Sequence, residues 1–322
     1  MGLLQGGSYE TTGCVRLVLN RSGRGSISVR LGSKPNCVAL GGYSGGSFAF
    51  LGGDPDMVIH LVVIILPDGS YAMEGEVADD GEDVPFKLVS AAPPLNVNEA
   101  HGRYTFALRK AAASGSLPEG VVGTGVLRVG KKGAIVVGAR LFDGSAILQG
   151  GALNSEGKWQ LYAHTGRGAV LSGEVLFAHE ANTDFAAPLT LQIPERKRLG
   201  TTVQAAESQD ISVLGSLYDP SAGFGTAADW NLITEGVAYA ATALSHRGPL
   251  RPGSGLRGFT LGLETATGIV RGHFRAAAGG ARIGLLGVVY QKTNSGAGLT
   301  RSGGHAIGAF TLAPSESSSS DQ

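Results

Sequence analysis

Apolar and polar residues alternate along most of this chain, and that period admits one kind of element. Val15, Leu17 and Leu19 alternate with Arg16 and Asn20, and Ile27, Val29 and Leu31 alternate with Ser26, Ser28 and Arg30. Ile135, Val137, Ala139 and Leu141 alternate with Ala134, Gly138 and Arg140, and Trp159, Leu161 and Ala163 alternate with Lys158, Gln160 and His164. Ile283, Leu285 and Val289 share one face opposite Arg282 and Gly284. Successive side chains of a strand point to opposite faces, so such runs read as half-buried strands. Turn signals separate them: Ser22-Gly23, Pro67-Asp68-Gly69, Asp143-Gly144, Ser155-Glu156-Gly157, Gly279-Gly280 and Asn294-Ser295-Gly296. The best helix candidate, Leu108 to Ser114, is short and stops at Gly115.

The pattern recurs on a larger scale. Val15–Leu19, Ser26–Leu31 and Cys37–Gly42 are spaced like Val126–Val129, Ala134–Leu141 and Ala146–Leu153. Phe259–Leu263, Ile269–Phe274 and Ala281–Tyr290 repeat the spacing again. This predicts an all-β chain of about three related glycine-rich meanders, in modules 1–94, 95–182 and 183–314, with a disordered serine tail at 315–322. Ala91-Ala92-Pro93-Pro94 reads as a junction. The stretch Thr183 to Gly236, with Arg196-Lys197-Arg198 inside it, reads as a long connection whose basic cluster is a solvated loop. Unpaired strand edges invite aggregation, so the modules are expected to pack as one large antiparallel barrel or sandwich. The apolar run Val58 to Leu66 is expected as a central strand covered on both faces.

Composition excludes several classes. The 26 Lys+Arg balance 26 Asp+Glu, so the chain has no net charge with which to hold nucleic acid or an anionic membrane. Its 43% apolar residues exceed what a disordered chain carries, and its 52 glycines follow no collagen period. Two cysteines, Cys14 and Cys37, are too few for a disulfide framework or a zinc site. Placed on the first and third strands of one meander they stand about 9.6 Å apart, beyond disulfide reach, and are expected as buried thiols. Met1 to Gly7 lack the basic and apolar segments of a secretory leader, and the chain reads as starting inside a module.

Three stretches carry a family resemblance. Thr267-Gly268-Ile269-Val270-Arg271-Gly272-His273-Phe274, Gly287-Val288-Val289-Tyr290-Gln291-Lys292 and Gly296-Ala297-Gly298 resemble the C-terminal glycine-rich β modules of large secreted or surface proteins. Those proteins come from environmental bacteria of the planctomycete and verrucomicrobial kind. Gly102-Arg103-Tyr104-Thr105 and Trp159-Gln160-Leu161-Tyr162 fit the same pattern. The resemblance implies an all-β extracellular or cell-surface module and brings no catalytic residues with it.

Candidate chemistry gathers in a few places. Gly42-Tyr43-Ser44-Gly45-Gly46 matches the G-x-S-x-G elbow, but a strand, Ser47 to Leu51, is expected after it instead of the helix that exposes such a serine. Asp54, Asp56, Glu74, Glu76, Asp79, Asp80, Glu82 and Asp83 form an acidic region. Carboxylates in a loop beside backbone carbonyls suit calcium, which takes six to eight oxygens, and they equally suit a solvated turn. The seven histidines are dispersed. His60, inside an apolar run, is expected in a core or lumen, and His179 in a loop. Arg271, His273 and Arg275 share a strand face as an anion-attracting stripe. Trp159, Trp230, Tyr162, Tyr218 and Tyr239 could stack on a sugar, with packing as the default use.

Two functions follow. The first is an extracellular structural or binding module engaging a glycan or a neighbouring copy of itself. The second is a hydrolase of esters or lactones in which calcium polarises the carbonyl, with His60 or His164 as proton carrier or Ser44 as nucleophile. An outer-membrane barrel is a third and weaker reading, because two tryptophans are few for aromatic girdles.

Overall fold

The structure is a computed structural model. It describes residues 2–5, 12–20, 24–32, 37–44, 47–51, 58–65, 71–79, 82–89, 97–110, 120–198, 201–222, 229–234, 237–242, 257–275, 280–303 and 305–314. They are almost entirely strand, as the alternation requires. In chain order the strands are β1 (Gly2–Gln5), β2 (Thr12–Leu19), β3 (Arg24–Leu31), β4 (Cys37–Ser44), β5 (Ser47–Leu51), β6 (Val58–Ile65), β7 (Tyr71–Asp79) and β8 (Glu82–Val89). One helical turn, α1 (Val97–Ala100), follows. Then come β9 (Gly102–Lys110), β10 (Gly120–Val129), β11 (Ala134–Leu141), β12 (Ala146–Ala152), β13 (Lys158–His164), β14 (Val170–Phe177), β15 (Phe185–Ile193), β16 (Arg196–Arg198) and β17 (Thr201–Gln204). The chain continues with β18 (Glu207–Leu217), β19 (Asp229–Thr234), β20 (Val237–Thr242), β21 (Arg257–Glu264), β22 (Ile269–Arg275), β23 (Arg282–Tyr290), β24 (Ser295–Ser302) and β25 (His305–Pro314).

The turns are built by one local device used four times running. In each, a residue's N–H bonds the carbonyl four positions on, and a glycine three positions on returns its N–H to that first residue. The pairs are Gly130 with Gly133, Leu141 with Gly144, Asn154 with Gly157 and Thr165 with Gly168. Each closing glycine has φ between 76° and 87°, a region that side chains rarely adopt. This is the three-residue hairpin in which a turn ends on a left-handed glycine. Side chains brace it: Asn154 Oδ1 accepts from the N–H groups of Glu156 and Lys158, and Thr165 Oγ1 from those of Arg167 and Ala169.

The strands assemble into antiparallel sheets. A five-stranded sheet runs β1-β2-β3-β4-β5 and a three-stranded one β6-β7-β8. An eight-stranded sheet, nearly closed and barrel-like, has the order β12-β11-β10-β9-β18-β15-β14-β13. A seven-stranded sheet runs β20-β19-β25-β24-β23-β22-β21, and β16 and β17 form a separate pair. The chain divides into two units. The first holds Met1–Val97, Gly151–Val175 and Thr190–Gln209; the second holds Asn98–Gly150, Leu176–Leu189 and Asp210–Gln322.

Each unit buries the apolar faces of its strands. In the first, Leu4, Val15, Ile27, Val29 and Leu31 meet Val77, Val84, Phe86 and Leu88. In the second, Trp230, Leu232, Phe259, Leu261, Phe274, Phe310 and Leu312 fill one face of the seven-stranded sheet. Ala107 and Val121 pack on Val288, Ala297 and Leu299, with Ala306 and Ala309 beside them. Small residues let these two backbones approach, and the Thr105 hydroxyl donates to the Val289 carbonyl between them.

Several expectations change. The run Val58–Ile65 forms β6, which ends a three-stranded sheet instead of lying at a centre. Its face bearing Val62, 64% exposed, and His60 is open, while Ile59 and Leu61 pack inward. An alternating strand buries one face whatever its mean hydropathy. The stretch read as a connection after Thr183 holds the strands β15 to β19, and Arg196-Lys197-Arg198 is β16, paired with β17. Its prolines hid the period: Pro188 sits within β15 on an exposed position. Leu108 to Lys110 belong to β9 and not to a helix. Cys14 and Cys37 lie on β2 and β4 with β3 between them and form no disulfide. Burial pushes the Cys14 thiol up to about 11 despite the nearby Arg30 charge.

Candidate functional site

The acidic region lies on the hairpin of β7 and β8. Glu74 and Glu76 share the exposed face of β7. Glu74 pairs with Lys87 at 3.1 Å, and Glu76 stands opposite His60 and Pro85 in the register. Asp79 and Glu82 are register partners at the hairpin end, and Asp83 is exposed. Asp54, Asp56 and Asp80 lie outside the described residues. Among the described residues no three His, Cys, Asp or Glu side chains stand together as a cation cage. Ser44 ends β4 opposite Ser47 of β5, so a strand follows the G-x-S-x-G motif.

His164 closes a buried polar cluster in the first unit. Its Nε2 is 3.0 Å from the Tyr162 hydroxyl, which donates to the Thr12 carbonyl at 3.4 Å, so His164 presents an N–H. Gln192 Nε2 donates to the Thr12 hydroxyl at 2.8 Å. Burial, aided by Arg30, pushes the imidazole down to about 4. A histidine held neutral in the fold and free to protonate when unfolded favours unfolding as pH drops. Its stabilising contribution is complete above the ordinary value of 6.5 and is lost between there and about 4. Thermal melting is therefore expected to fall from pH 7 to pH 5, and His164→Gln to flatten that slope; an unchanged slope would remove this account. Trp159, Trp230, Tyr162 and Tyr218 are all buried, so packing is their use.

The basic stripe forms a broader surface than β22 alone supplies. Arg271, His273 and Arg275 share the outer face of β22, away from Val270 and Phe274 in the core. Antiparallel register sets Arg275 opposite Arg282 of β23 and opposite position 257 of β21, also an arginine. In the next row His273 faces Thr260 and Gly284, and Gly284 faces Arg301 of β24. Thr260 donates its hydroxyl to His273 Nδ1 at 2.6 Å, and Arg282 Nη2 donates to the same atom at 2.9 Å. Two donors on Nδ1 place the ring proton on Nε2. Burial, then Arg282 and Arg275, lower the tendency of His273 to protonate. Arg271, Arg275 and Arg282 are exposed.

The structure also builds a cluster with no local sequence signal. Asp184, 4% exposed, precedes β15, and its Oδ1 accepts from His179 Nδ1 at 2.8 Å and from Lys292 Nζ at 2.9 Å. Its Oδ2 accepts from the Leu217 N–H at 2.6 Å. Lys292 Nζ also reaches the Thr183 carbonyl at 3.4 Å, and the Thr183 hydroxyl bridges the carbonyls of Phe185 and Gly215. His179 has φ 50°, a left-handed conformation uncommon outside glycine. The N–H groups of Ala178 and His179 both bond the Asp184 carbonyl, which holds that bend. Burial raises the carboxyl, but the Leu217 N–H, Lys292 and His179 outweigh it and keep Asp184 below the usual carboxylate range. Three residues separated by up to 113 positions meet here, so no spacing in the chain announces them. The one available signal was the histidine in a loop.

No family model, curated protein or solved structure matches the chain.

Proposed function

We propose that this chain is a β-rich binding module of an extracellular protein, and that the arginine face of β22 and β23 takes the sulfate or carboxylate groups of an acidic glycan. The register that sets Arg275 against Arg282 carries this reading. Like charges directly opposite one another on neighbouring strands are destabilising. Such a pair is tolerated where an anion lies across it, and a guanidinium fork matches a planar carboxylate or a sulfate with two hydrogen bonds. Arg271 and Arg301 lengthen the surface, and His273 offers an uncharged N–H. Among the described residues the face presents no aromatic ring for stacking a nucleobase, and the whole chain is neutral, which favours a glycan over nucleic acid.

Calorimetric titration at low salt tests it. A sulfated and a carboxylated polysaccharide are expected to bind, and a neutral glucan to give no heat. Arg275→Ala with Arg282→Ala is expected to weaken binding about tenfold or more, since each charge-assisted hydrogen bond contributes about 1.5–3 kcal/mol. Unchanged affinity in that variant, or tighter binding of a single-stranded oligonucleotide, counts against the glycan. The other reading, calcium-assisted ester or lactone hydrolysis, uses the carboxylates of β7 and β8. Calcium and a chelator are added to the same protein: a melting temperature moved by both supports the hydrolase reading, and one moved by neither removes it.

A further inference from the structure

We propose that Lys292 and Asp184 condense to an intramolecular amide, a covalent cross-link between the β23–β24 turn and the entry to β15. The inference rests on the cluster alone and not on the arginine face.

The reacting groups are already in contact. Lys292 Nζ lies 2.9 Å from Asp184 Oδ1, and the Asp184 side chain is 5% exposed. The flanking rings are buried: Phe185 is 1% and Tyr104 1% exposed, and the two stand edge to face with centroids 5.7 Å apart. Fixing two reactants in one geometry is equivalent to effective concentrations of about 10⁵ M or more, which pulls an amide-forming equilibrium that water otherwise opposes. Each oxygen of the carboxyl has a distinct partner. Oδ2 holds the Leu217 N–H at 2.6 Å, placed where negative charge develops in a tetrahedral intermediate. Oδ1 holds His179 Nδ1 at 2.8 Å, placed to protonate a departing oxygen. The Thr183 carbonyl, 3.4 Å from Nζ, orients the amine.

The step balances without a co-reactant. The ammonium passes one proton to Oδ1, leaving a neutral amine beside a neutral carboxyl. The Nζ lone pair attacks Cγ, and the C–Oδ2 π pair moves onto Oδ2. A second proton leaves nitrogen and reaches the Oδ1 hydroxyl by way of His179 Nδ1, which gives one proton and takes one. The Cγ–Oδ1 bond breaks, Oδ1 leaves as water, and Oδ2 becomes the amide carbonyl, still accepting from Leu217. The contacts that keep the carboxylate ionised make the neutral pair a minor species, so the conversion is slow and happens once per molecule.

Intact-mass spectrometry of the purified full chain, followed until the mass is constant, tests the proposal. The expected mass is one water molecule below the sequence value, with residues 184 and 292 recovered in one branched peptide after digestion. Lys292→Arg keeps a cation on the carboxylate but cannot form the link; it is expected to show the full sequence mass with an unchanged circular dichroism spectrum. His179→Ala is expected to reach the same final mass about 100-fold more slowly. A wild-type chain of full mass, with residues 184 and 292 in separate peptides, overturns the proposal. So does a water deficit that survives Lys292→Arg.

Discussion

Gly215→Ala is expected to destabilise the protein by about 3 kcal/mol, the upper end of what one added methyl costs in a packed core. A Cβ at Gly215 would lie 2.1 Å from Cε1 of Phe185. The ring has nowhere to go. Phe185 is 1% exposed and is surrounded by Tyr104, Phe106 and Phe177, with ring centroids at 5.7, 6.3 and 5.2 Å. Phe185→Ala removes the ring and is expected to cost about 3–5 kcal/mol. Because the two positions share one space, Gly215→Ala with Phe185→Ala is expected to cost clearly less than the sum of the single changes. Urea denaturation with linear extrapolation reads all four proteins. Additive costs would show that the ring does not rest on the glycine.

Asp184→Ala is expected to cost about 3–5 kcal/mol, the range for removing one partner of a buried ion pair. The loss has three parts that act together: Lys292 loses its counter-charge, and the His179 ring and the Leu217 N–H lose their hydrogen-bond partner. The Lys292 and His179 side chains are 27% and 30% exposed, so part of the cost is recovered by hydration. Lys292→Arg is the reference for these costs, because it keeps a cation on the carboxylate and cannot form the proposed link. Denaturation of Asp184→Ala beside Lys292→Arg decides the matter. A cost below about 1 kcal/mol for Asp184→Ala would place this pair with surface salt bridges.

Much of the fold was legible because its cause is local. The alternation at Ile135 to Leu141 is the burial alternation of β11, and Asp143-Gly144 and Ser155-Glu156-Gly157 are real hairpin turns. The arginine stripe on β22 was legible for the same reason, since positions two apart share a face. Glycine was harder. The expectation that it serves reversals holds for Gly144 and Gly157 but leaves out the mid-strand glycines. Gly298 and Gly287 floor the Phe310 ring, where a Cβ would come within 2.4 and 2.6 Å of it. Nothing in the period distinguishes a turn glycine from one lying under an aromatic ring. His60 was misplaced because an unbroken apolar run does not say whether its strand lies inside a sheet or at its end.

By itself the chain determined its class of element, the faces of its strands and the positions of its tight turns. These depend on backbone geometry within about ten residues, where period and glycine chirality leave few choices. Tertiary structure alone decided that β9 lies between β10 and β18, that Arg275 stands opposite both position 257 and Arg282, and that Asp184 meets Lys292. Strand partners are chosen by which apolar faces can be buried together, and that choice is made across the whole molecule after the local pattern has been satisfied.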